Sequence, residues 1–192
     1  MSFKKYNLPK NSFIQGWYMP EKICDSLINY FKNNKEKAKP GVIYNKGNNT
    51  TDKKIKNSLD INLDNNPFNK DVYEYRLQLQ EILNLYIKEY PEVHNLDNFI
   101  IENVNLQWYP KKGGYKEWHS ERGSKYNMDR VLVFMTYLNN VKNGGTYFKY
   151  QDTHTPAIKG LTLIWPPDWT HTHKGEVSNS EKIIATGWFK FL

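Results

Sequence analysis

The sequence predicts a mainly β fold with flanking helices, an antiparallel barrel or sandwich with two helices packed outside it. Three observations carry that reading. Aromatic content is 15%, with 14 Tyr and 6 Trp in 192 residues, which suits strands and a large core. The first half contains two stretches whose apolar residues recur at the helical period. From about residue 98 onward the period becomes the alternation of half-buried strands, and turn residues separate short apolar runs. Helices first and strands afterwards is the order expected when the two kinds of element form separate layers.

Pro20 and Glu21 open a first helix over 20–33, in which Ile23, Leu27, Ile28 and Phe31 share a face, and a polar stretch from Asn33 to Lys39 ends it. Residues 35–66 are rich in lysine and asparagine. Ile55, Leu59, Ile61 and Leu63 alternate there, so loops with one or two short strands are predicted. From Phe68 to Tyr90 the positions Val72, Leu79, Ile82, Leu83 and Tyr86 follow the helical period, and Pro91 stops the longest helix. Val104, Leu106 and Trp108 then alternate with Asn103, Asn105 and Gln107 as in a half-buried strand. Arg130 to Leu138 is an almost continuous apolar run, and Asn143-Gly144-Gly145 supplies a turn. Leu161 to Trp165 and Ile183 to Phe189 give two more strands, with the Pro166-Pro167 break between them. The aromatic-rich end, Trp188-Phe189-Lys190-Phe191, is assigned to the core.

The length predicts one domain over 1–192, with 1–97 a helical and lysine-rich supporting region and 98–192 the β core. Cys24 is the single cysteine, so neither an internal disulfide nor a thiolate zinc site is expected. No apolar run long enough to span a bilayer occurs, and Met1-Ser2-Phe3-Lys4-Lys5 leads into no apolar export segment, so a cytoplasmic protein without a membrane anchor is expected. The net charge is +7, and residues 1–66 carry six of it, with 12 Lys against 6 Asp or Glu. That field attracts an acidic partner such as nucleic acid, although scattered lysines more often serve solubility and nucleic acid is the less favoured partner.

The chemistry-bearing residues follow the change of period. His119-Ser120-Glu121 places an imidazole and a carboxylate two positions apart, which on an extended strand sets both on one face. His171-Thr172-His173, two imidazoles that on a strand would point to the same side, offers a third ligand just beyond a strand and the Pro-Pro turn. Two imidazoles and one carboxylate on one face of a metal suit oxygen-activating iron(II), because the other face stays open. The residue types alone leave three readings: such an oxygenase, a zinc hydrolase with His119, His171 and His173 as ligands and Glu121 as general base, or a β-barrel binding module. His94 and His154 have no partner legible in the sequence.

Ordered motifs favour the first. Leu106-Gln107-Trp108-Tyr109-Pro110, then Gly114 to Glu121, then Arg130 to Asn139, resemble successive segments of the 2-oxoglutarate-dependent oxygenases, particularly their prolyl hydroxylase-like branch. Gly144-Gly145-Thr146-Tyr147-Phe148 resembles that family's Gly-Gly-x-Thr-x-Phe turn with one residue missing. Gly160 to Pro167 and Trp169 to Gly175 resemble the segment with the distal ligand, and Glu181 to Phe189 the closing strand. The resemblance covers residues 98–192.

The resemblance implies a double-stranded β-helix, a squashed antiparallel barrel with iron inside its open end. It implies that His119, Glu121 and His173 are the ligands, with His173 in register and His171 a pocket residue. Lys182, nine positions after His173, would bind the far carboxylate of 2-oxoglutarate, helped by the Tyr109 hydroxyl and flanked by Thr146. Tyr115, Trp169 and His171 would lie where substrate enters. The implied cofactors are Fe(II), 2-oxoglutarate and O2, with ascorbate an auxiliary candidate. The implied reaction hydroxylates a C–H bond while 2-oxoglutarate becomes succinate and carbon dioxide. A prolyl or other protein residue is the first substrate candidate, and a free amino acid or small molecule the second. One departure stands out: the family's usual carboxylate ligand is Asp, and Glu121 is one methylene longer. Lys182 also stands in a segment that reads as buried strand, where an unpaired ammonium is costly.

Overall fold

The computed structural model describes residues 3–45, 48–63 and 69–192. Phe68, where the period begins the second helix, lies outside the described residues, as do residues 46, 47 and 64–66 of the lysine-rich stretch. Helix Glu21–Asn33 buries Ile23, Cys24, Leu27 and Phe31, as its spacing predicts. Helix Lys70–Glu89 is opened by the Asn69 side chain, which accepts the Val72 N–H at 3.2 Å, and it ends before Pro91. No helix among the described residues is long and apolar enough to cross a membrane.

The fold is a double-stranded β-helix built mainly from one large antiparallel sheet. Its eight strands lie in the order Lys5–Tyr6, Gln15–Tyr18, Leu161–Trp165, Arg130–Tyr137, Lys182–Phe191, Phe99–Tyr109, Leu59–Leu63 and Lys39–Pro40. A smaller sheet holds Thr153–Ala157, Val141–Phe148 and His173–Gly175 in that order. The pair Lys56–Asn57 and Gly114–Tyr115 brings the lysine-rich region to the segment just before His119.

The two faces of the large sheet have different tasks. Leu132 and Phe134 belong to one core cluster with Tyr75, Leu79 and Leu83 of the second helix, while Val133, Met135 and Tyr137 belong to another with Phe148 and Trp165. Strand Phe99–Tyr109 divides in the same way. Val104 and Leu106 enter the helix-side core, whereas Asn103, Asn105, Gln107 and Tyr109 line a cavity. The polar half of the alternation therefore faces an internal site and not only bulk water.

Phe134 is fully buried between Tyr75, with centroids 6.5 Å apart, and Phe189, at 5.3 Å. Phe134→Ala leaves a cavity that such packing closes poorly, so destabilisation of about 3–5 kcal/mol is expected. Denaturant unfolding followed by tryptophan fluorescence measures it; a loss under about 1 kcal/mol would mean that this core is not the one holding helix to sheet.

Two local expectations are corrected. Asn143-Gly144-Gly145 is not a free turn but lies within strand Val141–Phe148, whose pairing to Thr153–Ala157 shifts register between Val141 and Thr146. Asn143 takes φ +54°, and a left-handed residue followed by two glycines lets one strand carry extra chain without breaking the ladder. His171 and His173 also do not share a strand face. A short 3-10 turn over Trp169–His171 comes first, and the strand begins at His173.

Candidate metal centre

His119 and His173 are held together by their backbones before their side chains are considered. The two residues form an isolated antiparallel bridge, with His119 N–H donating to His173 O at 3.0 Å and the reverse bond at 2.9 Å. Glu121 is fixed similarly, its N–H and that of Arg122 both donating to Pro167 O at 2.9 Å. The Pro-Pro break thus anchors the first ligand segment beside the second.

From this scaffold His119, Glu121 and His173 bring one ligand atom each within 4.8 Å of one another. Glu121 Oε1 lies 3.5 Å from His119 Nε2 and 3.4 Å from His173 Nε2. The far ring nitrogens face backbone carbonyls, His119 Nδ1 with Glu117 O at 3.0 Å and His173 Nδ1 with His171 O at 2.9 Å. If those carbonyls take the Nδ1 protons, each neutral ring keeps its Nε2 lone pair for a metal. Burial, with help from His173, holds the His119 imidazole below its ordinary value, which favours the neutral ring. Burial alone would raise the Glu121 carboxyl, but hydrogen bonds and charge from the two rings, exerted where an Nε2 carries a proton and replaced by the metal where it does not, hold it well below the ordinary carboxylate range. Two nitrogens and one ionised oxygen therefore converge, a donor set that fits Fe(II).

Lys182 lies on the wall of the same cavity. It is 5% exposed and donates to Gly144 O at 2.7 Å and Glu176 O at 3.3 Å, with no carboxylate partner in an ion pair among the described residues. Burial pushes its ammonium down to about 8. Its Nζ stands 5.4 Å from the centre of the Tyr109 ring, and Tyr109 gives its hydroxyl hydrogen to Gln107 Oε1 at 2.5 Å. Thr146 and Tyr137 also line the cavity and share a 2.7 Å hydroxyl contact. The cavity, about 1270 Å³, exceeds what a small ligand usually occupies, so it has room for a co-substrate and part of a substrate.

The remaining candidates separate. Tyr115 lines the cavity and stacks on the His119 ring, with centroids 3.6 Å apart and planes 11° from parallel. Trp169 is 68% exposed, packs edge-on to Tyr150, and does not line the cavity. His171 is buried, but its Nε2 faces Ser12 O at 2.9 Å and its Nδ1 faces the Thr170 hydroxyl at 3.0 Å. It ties the ligand loop to the N-terminal segment instead of joining the cluster. His171→Ala is therefore expected to leave most metal binding intact while lowering stability by about 1–3 kcal/mol, the cost of an unsatisfied buried acceptor. Metal titration and thermal melting of the same preparation check both parts, and loss of metal without loss of stability would contradict the placement.

Sequence reasoning missed several residues. Trp188, assigned to the core, does pack against it, but it also lines the cavity and donates its indole N–H to Glu121 Oε2 at 3.0 Å. Its place in the alternation with Lys182, Ile184 and Thr186, all lining the cavity, was the available signal. Arg130 reaches Glu121 O at 2.7 Å. His154 pairs with Glu176 at 3.0 Å, a contact that sequence separation concealed.

The double-stranded β-helix thus gathers two imidazoles and a carboxylate at one point, with a buried lysine on the same cavity wall. Residues 104–190 match the profile of the 2OG-Fe(II) oxygenase superfamily. Comparison with curated protein sequences gives no significant match. Solved structures of similar fold include a Pseudomonas putida prolyl-4-hydroxylase, 15% identical, covering 94% of this chain and 93% of its own, with a TM-score of 0.71. The viral collagen prolyl hydroxylase of Paramecium Bursaria Chlorella virus-1, solved as its 2OG complex, is 18% identical over 94% of this chain and 97% of its own, with a TM-score of 0.68. A Trichoplax adhaerens prolyl hydroxylase, in complex with a hypoxia inducible factor oxygen degradation domain peptide fragment, is 14% identical over 93% of this chain and 84% of its own, with a TM-score of 0.72. At these identities the likeness is one of fold.

Proposed function

We propose that this protein is an Fe(II)- and 2-oxoglutarate-dependent dioxygenase that hydroxylates a C–H bond, with His119, Glu121 and His173 holding the iron and Lys182 the far carboxylate of 2-oxoglutarate. The observation that carries the reading is the coexistence, in one cavity, of the three-atom ligand cluster and a buried ammonium without a carboxylate. When bound, iron and 2-oxoglutarate together supply dioxygen activation, with succinate and carbon dioxide as co-products. The protein then needs no strong acid or nucleophile. Its own residues orient and shield: Lys182 would pair with one end of the co-substrate, Tyr109, Tyr137 and Thr146 would bound it, and the open part of the cavity would place the substrate.

The substrate we propose is a residue of a protein or peptide, a prolyl residue first. The support is the prolyl hydroxylase fold and a cavity larger than the co-substrate requires. The zinc-hydrolase alternative needs His171 as a third nitrogen, and that ring is engaged by Ser12 O and Thr170. The test is conversion of 2-oxoglutarate to succinate, measured alone and with a proline-containing peptide library, with mass spectrometry reporting gain of one oxygen atom. Turnover should require both Fe(II) and O2. Equal hydrolytic activity with zinc under nitrogen would sink the oxygenase reading, and oxygen gained only by free amino acids would replace the peptide substrate.

A further inference from the structure

The two carboxylate oxygens of Glu121 have different partners. Oε1 is the atom 3.5 Å from His119 Nε2 and 3.4 Å from His173 Nε2, whereas Oε2 accepts the Trp188 indole N–H at 3.0 Å. Trp188 is fixed in turn, because the Arg130 guanidinium lies over its ring, 3.5 Å from the centroid. Arg130 also donates to Glu121 O at 2.7 Å, and Arg122 donates to Arg130 O at 2.9 Å. One side chain thus holds both the indole and the backbone from which the carboxylate springs. Arg130 Nη1 stands 3.7 Å from Oε2, beyond hydrogen-bonding reach, so the indole is that oxygen's direct donor.

A glutamate has one more rotatable bond than an aspartate, so its carboxylate swings more freely and can offer both oxygens to a metal. Two oxygens on the metal would occupy a position that co-substrate or dioxygen needs. From this geometry we propose that Trp188, clamped by Arg130, is the positioning residue that suits a glutamate to this centre: by holding Oε2 it leaves Oε1 as the one carboxylate oxygen free to bind metal. The inference rests on the metal-site reading of Glu121 proposed above. It also explains how the longer acid is accommodated, since an aspartate would draw its carboxylate back by about one C–C bond, roughly 1.5 Å, away from the indole.

The test compares wild type, Trp188→Phe, Glu121→Asp and the double variant by Co(II) titration without co-substrate, reading affinity and the visible absorption that reports coordination. Trp188→Phe keeps an aromatic face for Arg130 and removes the N–H. In the glutamate background it should weaken Co(II) binding by roughly 10- to 100-fold and alter the absorption band. In the aspartate background it should change neither, because the bond it removes is already absent. Thermal melting of the four metal-free proteins isolates packing, which a purely structural role would affect equally in both backgrounds. Equal changes in Co(II) binding in the two backgrounds, or no change in either, would overturn the clamp while leaving the metal site standing. A folded wild type that takes up no Co(II) or Fe(II) would overturn the metal-site reading and the clamp with it.

Discussion

His173→Ala is expected to abolish iron binding in a protein that still folds. The imidazole is one of three converging donors, its Nε2 3.4 Å from Glu121 Oε1, and no other histidine is placed to replace it: His171 faces Ser12 O. The loss should exceed the roughly 10- to 100-fold effect typical of residues that merely orient ligands, and succinate formation should fall to background. Folding should survive, because the bonds that join this segment to His119 are made by the backbone. Metal titration with circular dichroism separates the two effects. Retained stoichiometric iron in His173→Ala, with loss instead in His171→Ala, would reverse the assignment of the distal ligand.

Lys182→Ala is the second large effect expected. Removing one member of a buried, charge-assisted pair leaves the other unpaired, at a cost of about 2–5 kcal/mol. The 2-oxoglutarate concentration for half-maximal turnover should therefore rise by roughly 30-fold or more. Iron affinity without co-substrate should barely move, since Lys182 is not in the ligand cluster. Lys182→Arg keeps the charge on a larger, planar group and should retain part of the affinity.

The pH dependence follows with a definite sign. Burial depresses Lys182 to about 8, so the ammonium is fully present below that pH and lost above it. Co-substrate affinity in wild type should fall as pH rises through about 8, and Lys182→Arg should not show that fall. The same depression means that the folded state binds fewer protons than the unfolded chain between about 8 and the ordinary lysine range, so this group's contribution to stability grows with pH across that window. An unchanged 2-oxoglutarate requirement in Lys182→Ala would make the lysine structural, tied only to Gly144 O and Glu176 O.

Much of this arrangement was legible in the sequence because it rests on period. The helix at Glu21–Asn33 and the alternation of Val104 and Leu106 with Asn103 and Asn105 both follow from which side chains must meet the core. The pairing of His119 and Glu121 with a distal histidine was visible as residue types at suggestive spacings. Which distal histidine joins them was not visible from spacing, since the 3-10 turn at Trp169–His171 breaks the strand geometry that would have put both on one face. Alternation also says which residues share a face without saying whether that face meets solvent or a cavity. Asn105, Gln107 and Trp188 were therefore placed on faces whose use only the barrel's closure reveals. Contacts made across long sequence separations, such as His154 with Glu176 and Arg130 with Glu102 at 3.7 Å, depend on the packing of whole strands and leave no local signature.

The central claim is that His119, Glu121, His173 and Lys182 together hold an iron and its 2-oxoglutarate in one cavity. The most direct measurement is an anaerobic titration of the protein with Fe(II) and then 2-oxoglutarate, followed by visible absorption. A chelate of keto acid and iron gives a weak charge-transfer band, which should appear and saturate at one equivalent of iron in wild type. It should be absent from His173→Ala and need much more 2-oxoglutarate in Lys182→Ala. A wild-type protein that binds neither Fe(II) nor 2-oxoglutarate, or that gives the same band after His173→Ala, would contradict the account.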